Sequence, residues 1–175
     1  MLIYQIMENL TNIHLLVCVA FVLSTKAFNN IQDNTKIANI LAVIFSLWLY
    51  IHKYIYDFMY GLSDFGFNII GILFSFYTTP LPSFGTFFVV GGIISKIYFS
   101  KHYGEIIIKF GIAFLIINAL FEIFKLVFSY YDGLDIFVSV IPNVLIITFW
   151  SMYLKSLLLQ KINFSIVPKN DPKDW

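Results

Sequence analysis

Long apolar runs alternate with short polar gaps along this chain, and most of the runs exceed the length of a strand. The first, 12–28, reads as a short membrane-spanning helix closing on Ser24, Thr25 and Lys26. A polar gap follows, and a second span is expected over 37–56. Trp48, Tyr50, Tyr54 and Tyr56 gather toward its end, as an interfacial aromatic belt would. Residues 57–64 read as a loop with Gly61 as a breaker. Two shorter runs, 65–77 and 84–99, then flank Pro80 and Pro82. Those prolines exclude one continuous helix, so two short helices are expected to meet there, either crossing the membrane or re-entering it. Gly66, Gly71, Gly91 and Gly92 would let them pack closely. A long helix over 104–130, a tight turn at 130–133 and a last span over 135–159, with Pro142 placed to kink it, complete the pattern.

The expected fold class is therefore all-α. It is a polytopic bundle of four long transmembrane helices plus a short paired-helix hairpin, with up to six membrane segments. Residues 1–164 form the bundle and 165–175 a polar cytoplasmic tail. Composition agrees, with 59% hydrophobic and 12% charged residues against about 25% charged in soluble domains. No Lys or Arg precedes the first run, so it lacks the charged start of a cleaved signal peptide and is expected to be retained. All eleven basic residues are lysine. Sorted by the expected crossings, eight lie with the N-terminus and three (Lys26, Lys36, Lys125) opposite, which predicts both termini in the cytoplasm.

The 104–130 helix carries the most telling pattern. Gly104, Gly111, Asn118, Lys125 and Asp132 recur every seventh residue, and Glu122 shares their face. A charge at mid-membrane costs at least about 2.5 kcal/mol, so this stripe should turn toward other helices or a wet cavity. The antiparallel last helix should bring Asn143 to the depth of Asn118, with Ser46 within reach. Asn118, Glu122, Lys125 and Asn143 thus form a candidate buried polar site. It reads either as an ion, proton or polar-substrate site or as interhelical packing.

His14, His52 and His102 are expected near one face, where they could hold a metal or haem, but no pair has ligand spacing and no metal is predicted. The aromatic load, 19% of the chain, reads as lipid contact and core filling. Cys18 is the one cysteine, which excludes an intramolecular disulfide. No catalytic motif, no Cys/His dyad and no cofactor signature is found, and a net charge of +1 gives no reason for a nucleic-acid partner.

The last span closes with Trp150, Tyr153, Lys155, Ser156, Lys161 and Phe164, after a basic hinge at Lys101 and His102. This resembles the small bacterial inner-membrane proteins of domain-of-unknown-function family 2569, whose final helix ends in an aromatic, Tyr three later, a basic-Ser step and a basic stretch closing on Phe. Leu157, Leu158 and Leu159 depart from that pattern, and no Gly-Gly-Trp opens the first helix. The resemblance implies a bacterial inner-membrane location and no assigned activity. Three functions are expected to compete: a non-enzymatic accessory or subunit, a small transporter or channel component, and an immunity protein against a pore-forming bacteriocin. The partners expected are the lipid bilayer and a membrane protein or a second copy of the chain.

Overall fold

The computed structural model describes residues 2–29, 34–61, 80–128 and 133–166, with side chains for 8–26, 28, 36–55, 81–128 and 140–159. These residues form five α-helices and no strand: α1 (Leu2–Ser24), α2 (Asn34–Gly61), α3 (Pro80–Tyr98), α4 (Lys101–Phe128) and α5 (Gly133–Ile166). A 3₁₀ turn, Thr25–Asn29, follows α1. Four stretches are long and apolar enough to cross a membrane: Lys36–Ile55, Leu81–Tyr98, Lys101–Phe128 and Val140–Leu159. The apolar part of α1, Glu8–Ser24, is shorter.

Several boundaries differ from the sequence expectation. The helix of α1 begins ten residues before the apolar run (12 − 2 = 10), because residues 2–11 are rich in helix-favouring Leu, Gln, Met and Glu and hold no proline or glycine. The expected loop at 57–64 is helical as far as Gly61. The second short arm of 65–99 becomes a full span. Its helix starts at Pro80, where a proline's missing N–H costs no intrahelical bond. The prolines thus open α3, and Pro80, Leu81, Pro82 and Ser83 add their turn to its length. Helix α5 runs through Pro142 and seven residues past the expected end (166 − 159 = 7). The first arm, 65–77, and the turn at 129–132 lie outside the described residues.

Contacts fix the direction of each helix. His14 lies against His52, and Phe21 against Phe45, so α1 and α2 are antiparallel. Asn39 meets Tyr153 and Phe45 meets Phe149, so α2 and α5 are antiparallel. Phe21 meets Phe149 and Thr25 meets Met152, so α1 and α5 run parallel. The four residues between α4 and α5 reach at most about 14 Å, too little to traverse the bundle, so these two are antiparallel. Helix α3 is antiparallel to α4 by their glycine contacts.

Gly61 and Pro80 consequently lie at the same end. Among the described residues of 65–99, α3 makes one traverse. The start of α1 and the end of α5 lie at opposite ends of the bundle.

The core is aromatic. Phe45, Phe149, Trp150 and Tyr153 are each 0% exposed. Phe21 stacks on Phe45 at 4.5 Å, and Phe149 meets Phe45 edge-on at 4.5 Å. Such pairs contribute about 0.5–1.5 kcal/mol beyond their burial.

Helix α3 is packed on α4 with almost no side chain between them. A Cβ on Gly92 would fall 2.8 Å from Ile108 N, and one on Gly104 would fall 2.5 Å from Lys96 N. Seven residues along each helix, one on Gly111 would meet Val89 N at 2.7 Å and one on Gly85 would meet Leu115 Cγ at 2.6 Å. Both pairs have the same residue sum (85 + 111 = 92 + 104), as a single antiparallel register demands. Gly91, expected to join this contact, has nothing within 4 Å.

Candidate functional site

The buried face of α4 is Gly104, Ile108, Gly111, Ile112, Leu115 and Ala119. The expected seven-residue stripe follows this face only at first. A straight helix drifts about 20° per heptad, so from Gly104 to Lys125 the stripe turns by about 60°. Gly104 and Gly111 are buried, Asn118 is half-buried and Lys125 is exposed.

Glu122 continues the inward line one turn beyond Ala119, where the packing opens. Its Oε1 accepts Lys125 Nζ at 3.3 Å, with side-chain exposures of 29% and 66%. The i,i+3 spacing makes this an intrahelical pair. Asn118 is ten residues from the end of α4 and Asn143 ten from the start of α5 (128 − 118 = 143 − 133 = 10). Both are half-buried. Ser46 is committed elsewhere: its Oγ donates to Ala42 O at 2.7 Å, and its carbonyl accepts Thr86 Oγ1 at 3.0 Å.

The polar bonds that join helices lie largely on other residues. Tyr153 Oη donates to Asn39 Oδ1 at 2.8 Å, tying α5 to α2. Thr86 ties α3 to the Ser46 carbonyl of α2. Trp48 Nε1 donates to His14 Nδ1 at 3.2 Å, tying α2 to α1. Thr25 Oγ1 donates to Met152 Sδ at 3.1 Å as well as to its own helix at Val22 O, 2.6 Å. Lys96 and Glu105 pair at 3.6 Å across the α3–α4 turn, with side chains 9% and 15% exposed. The indole N–H of Trp150, in the aromatic core, has no hydrogen-bond partner among the described residues.

A second cluster lies between α1 and α2. The His14 and His52 rings stack at 3.8 Å with 12° between their planes. Because His14 Nδ1 accepts from Trp48, its ring is neutral and carries its proton on Nε2. Cys18 Sγ lies 3.8 Å from His14 Nε2 and 3.9 Å from Nδ1. The sequence reading missed this Cys/His neighbourhood, although the i,i+4 spacing of His14 and Cys18 places them on one helical face. Cys18 is 0% exposed, so no substrate can reach the sulfur in this arrangement.

The three histidines do not share one depth. His102 is exposed, beside the first residue of α4, and meets Tyr103 edge-on at 5.7 Å. His52 is nine residues from Gly61, toward the other end (61 − 52 = 9). Stacked imidazoles also hold their lone pairs in parallel planes, so His14 and His52 cannot converge on one ion. Among the described residues no group of three or more His, Cys, Asp or Glu side chains could hold a metal.

Compared with known protein families, curated proteins and solved structures, the chain matches none. What the geometry offers among the described residues is a set of polar groups paired with one another across helices, and two ion pairs, Lys96–Glu105 across the α3–α4 turn and Glu122–Lys125 within α4.

Proposed function

We propose that the chain is a non-enzymatic, multi-spanning protein of a bacterial inner membrane, acting as an accessory or subunit beside a membrane-protein partner or a second copy of itself. The observation that carries this is how the polar groups inside the helices are used. Tyr153 bonds Asn39, Thr86 bonds the Ser46 carbonyl and Trp48 bonds His14, each from one helix to another. In hydrocarbon such bonds hold helices together, typically for about 0.6 kcal/mol each and up to about 2. The bilayer is the expected surrounding, since Ile40, Phe87, Phe110, Phe121 and Phe124 stand exposed on helices long and apolar enough to span. The inner-membrane location rests on the resemblance of the last helix to family 2569.

A small transporter or channel component is the second reading. Glu122 favours it, because a carboxylate on the inward line of an apolar helix marks a functional group by default. Reconstitution of the full chain into vesicles separates the two. The accessory role predicts no proton or potassium flux above empty vesicles. It also predicts that Glu122→Gln keeps the stability of the parent while Glu122→Leu loses some. A flux that Glu122→Gln abolishes would replace it with the transport role and assign Asn118, Glu122 and Asn143 to the pathway.

A further inference from the structure

We infer that each of the five described helices crosses the membrane, with the α1 start on the outer face and the α5 end in the cytoplasm. The inference rests on the membrane-spanning reading above and adds the direction. It reverses the side that the sequence alone assigned to the N-terminus.

Helix directions sort the charges in a new way. One end of the bundle holds the end of α1, the start of α2, the α3–α4 turn and the end of α5. The described lysines nearest that end are Lys26, Lys36, Lys96, Lys101, Lys109 and Lys155. The opposite end has Lys53, eight residues before Gly61, and Lys125, three before Phe128 (61 − 53 = 8; 128 − 125 = 3). Six of the eight lysines with described side chains are therefore at one end, and Lys161 follows them on α5. The acidic residues lean the other way: of the five within the described helices, Glu8, Asp57, Glu122 and Asp135 belong with Lys53 and Lys125, and only Glu105 sits among the lysines.

The decisive change is at Lys26 and Lys36. A topology with two crossings in 65–99 puts these two opposite Lys96 and Lys101. The single traverse by α3, together with the parallel α1 and α5, brings all four to one end. The new grouping is more lopsided than the old one. Lysines in short segments beside helix ends stay on the side where the chain is made, and there they meet the anionic lipid headgroups of the cytoplasmic leaflet. Exposed Tyr98, Phe99 and Tyr103 cluster at the same end, where aromatic rings suit the headgroup layer. The opposite end has no comparable cluster of lysines among the described residues.

The test is cysteine labelling in spheroplasts that express the full chain. In a Cys18→Ser background, Glu8→Cys, Lys26→Cys and Lys36→Cys are made singly and exposed to a membrane-impermeant maleimide. All three positions are exposed, and Cys18 itself is fully buried, so the parent chain serves as the unlabelled control. Glu8→Cys is expected to label in intact spheroplasts, whereas Lys26→Cys and Lys36→Cys label only after lysis. The reverse pattern would overturn the direction. Glu8 and Lys36 labelling from the same side would overturn the crossing of α1. Should a cysteine variant fail to fold, fusions after Trp175 decide the other terminus. A fluorescent green fluorescent protein fusion agrees with a cytoplasmic end, and an active alkaline phosphatase fusion contradicts it. Loss of the chain from carbonate-washed membranes would instead refute the membrane reading itself, a result distinct from any labelling pattern.

Discussion

Replacing Gly104 by alanine would put a methyl group where α3 already stands. A Cβ at Gly104 falls 2.5 Å from Lys96 N and 2.6 Å from Lys96 Cα. Both are backbone atoms and cannot rotate away. Relief requires the helices to part by about 1 Å, to reach the ~3.5 Å of ordinary contact. The parting cannot stay local, because Gly111 meets Val89 N at 2.7 Å in the same register. Overpacking of this kind costs about 1–3 kcal/mol, while alanine returns about 1 kcal/mol of helix propensity. The expected result is a net loss of up to about 2 kcal/mol. Gly91→Ala is the matched comparison, one residue from Gly92 on the same helix with nothing within 4 Å of its Cβ. It gains the propensity without the clash. The difference between the two variants therefore isolates the clash, at about 1–3 kcal/mol. Unfolding of the full chain in detergent, followed by tryptophan fluorescence, should rank Gly91→Ala at or above the parent and Gly104→Ala below it. Equal stability of the two variants would refute the close approach of α3 and α4.

Other perturbations test other joints. Tyr153→Phe removes the bond to Asn39 and should cost about 0.5–1.5 kcal/mol. A double-mutant cycle with Asn39→Ala should show that cost as coupling, and additive losses would contradict the bond. Phe149→Ala empties a fully buried site, yet a chain unfolded in lipid leaves its apolar groups in hydrocarbon. The loss should therefore fall below the roughly 3–5 kcal/mol of water-soluble cores, and the same detergent unfolding measures it. Lys125→Gln breaks an ion pair whose lysine is 66% exposed, so stability should change by less than about 1 kcal/mol; a larger loss would mean that Lys125 has a partner beyond Glu122.

The spans of α2, α4 and α5 were legible because long apolar runs with polar ends leave few alternatives. The role of Pro80 was less so. A proline breaks a helix in its interior and begins one at its first position, and sequence cannot say which until the helix is placed. The proposed direction of crossing, and with it the side of Lys26 and Lys36, depends on that choice. The glycine contact was half legible. The seven-residue spacing of Gly104 and Gly111 was visible, but Gly85 was overlooked and Gly91 wrongly included, since the face α3 presents depends on its register against α4. Among the polar residues, the Glu122–Lys125 pairing could be read from i,i+3 spacing alone. The bonds of Tyr153 to Asn39 and of Thr86 to Ser46 join residues 114 and 40 positions apart, and no local pattern announces such pairs.

The parallel seating of α1 on α5 underlies both the helix order and the direction of crossing, and crosslinking in native membranes tests it most directly. Thr25 Oγ1 lies 3.1 Å from Met152 Sδ. In a Cys18→Ser background, Thr25→Cys combined with Met152→Cys should form an oxidative crosslink that closes the chain into a loop and shifts its mobility on a denaturing gel. Thr25→Cys combined with Val144→Cys, an exposed position about two turns away on α5, should not. A crosslink only in the Val144 pair, or in neither, would contradict the arrangement.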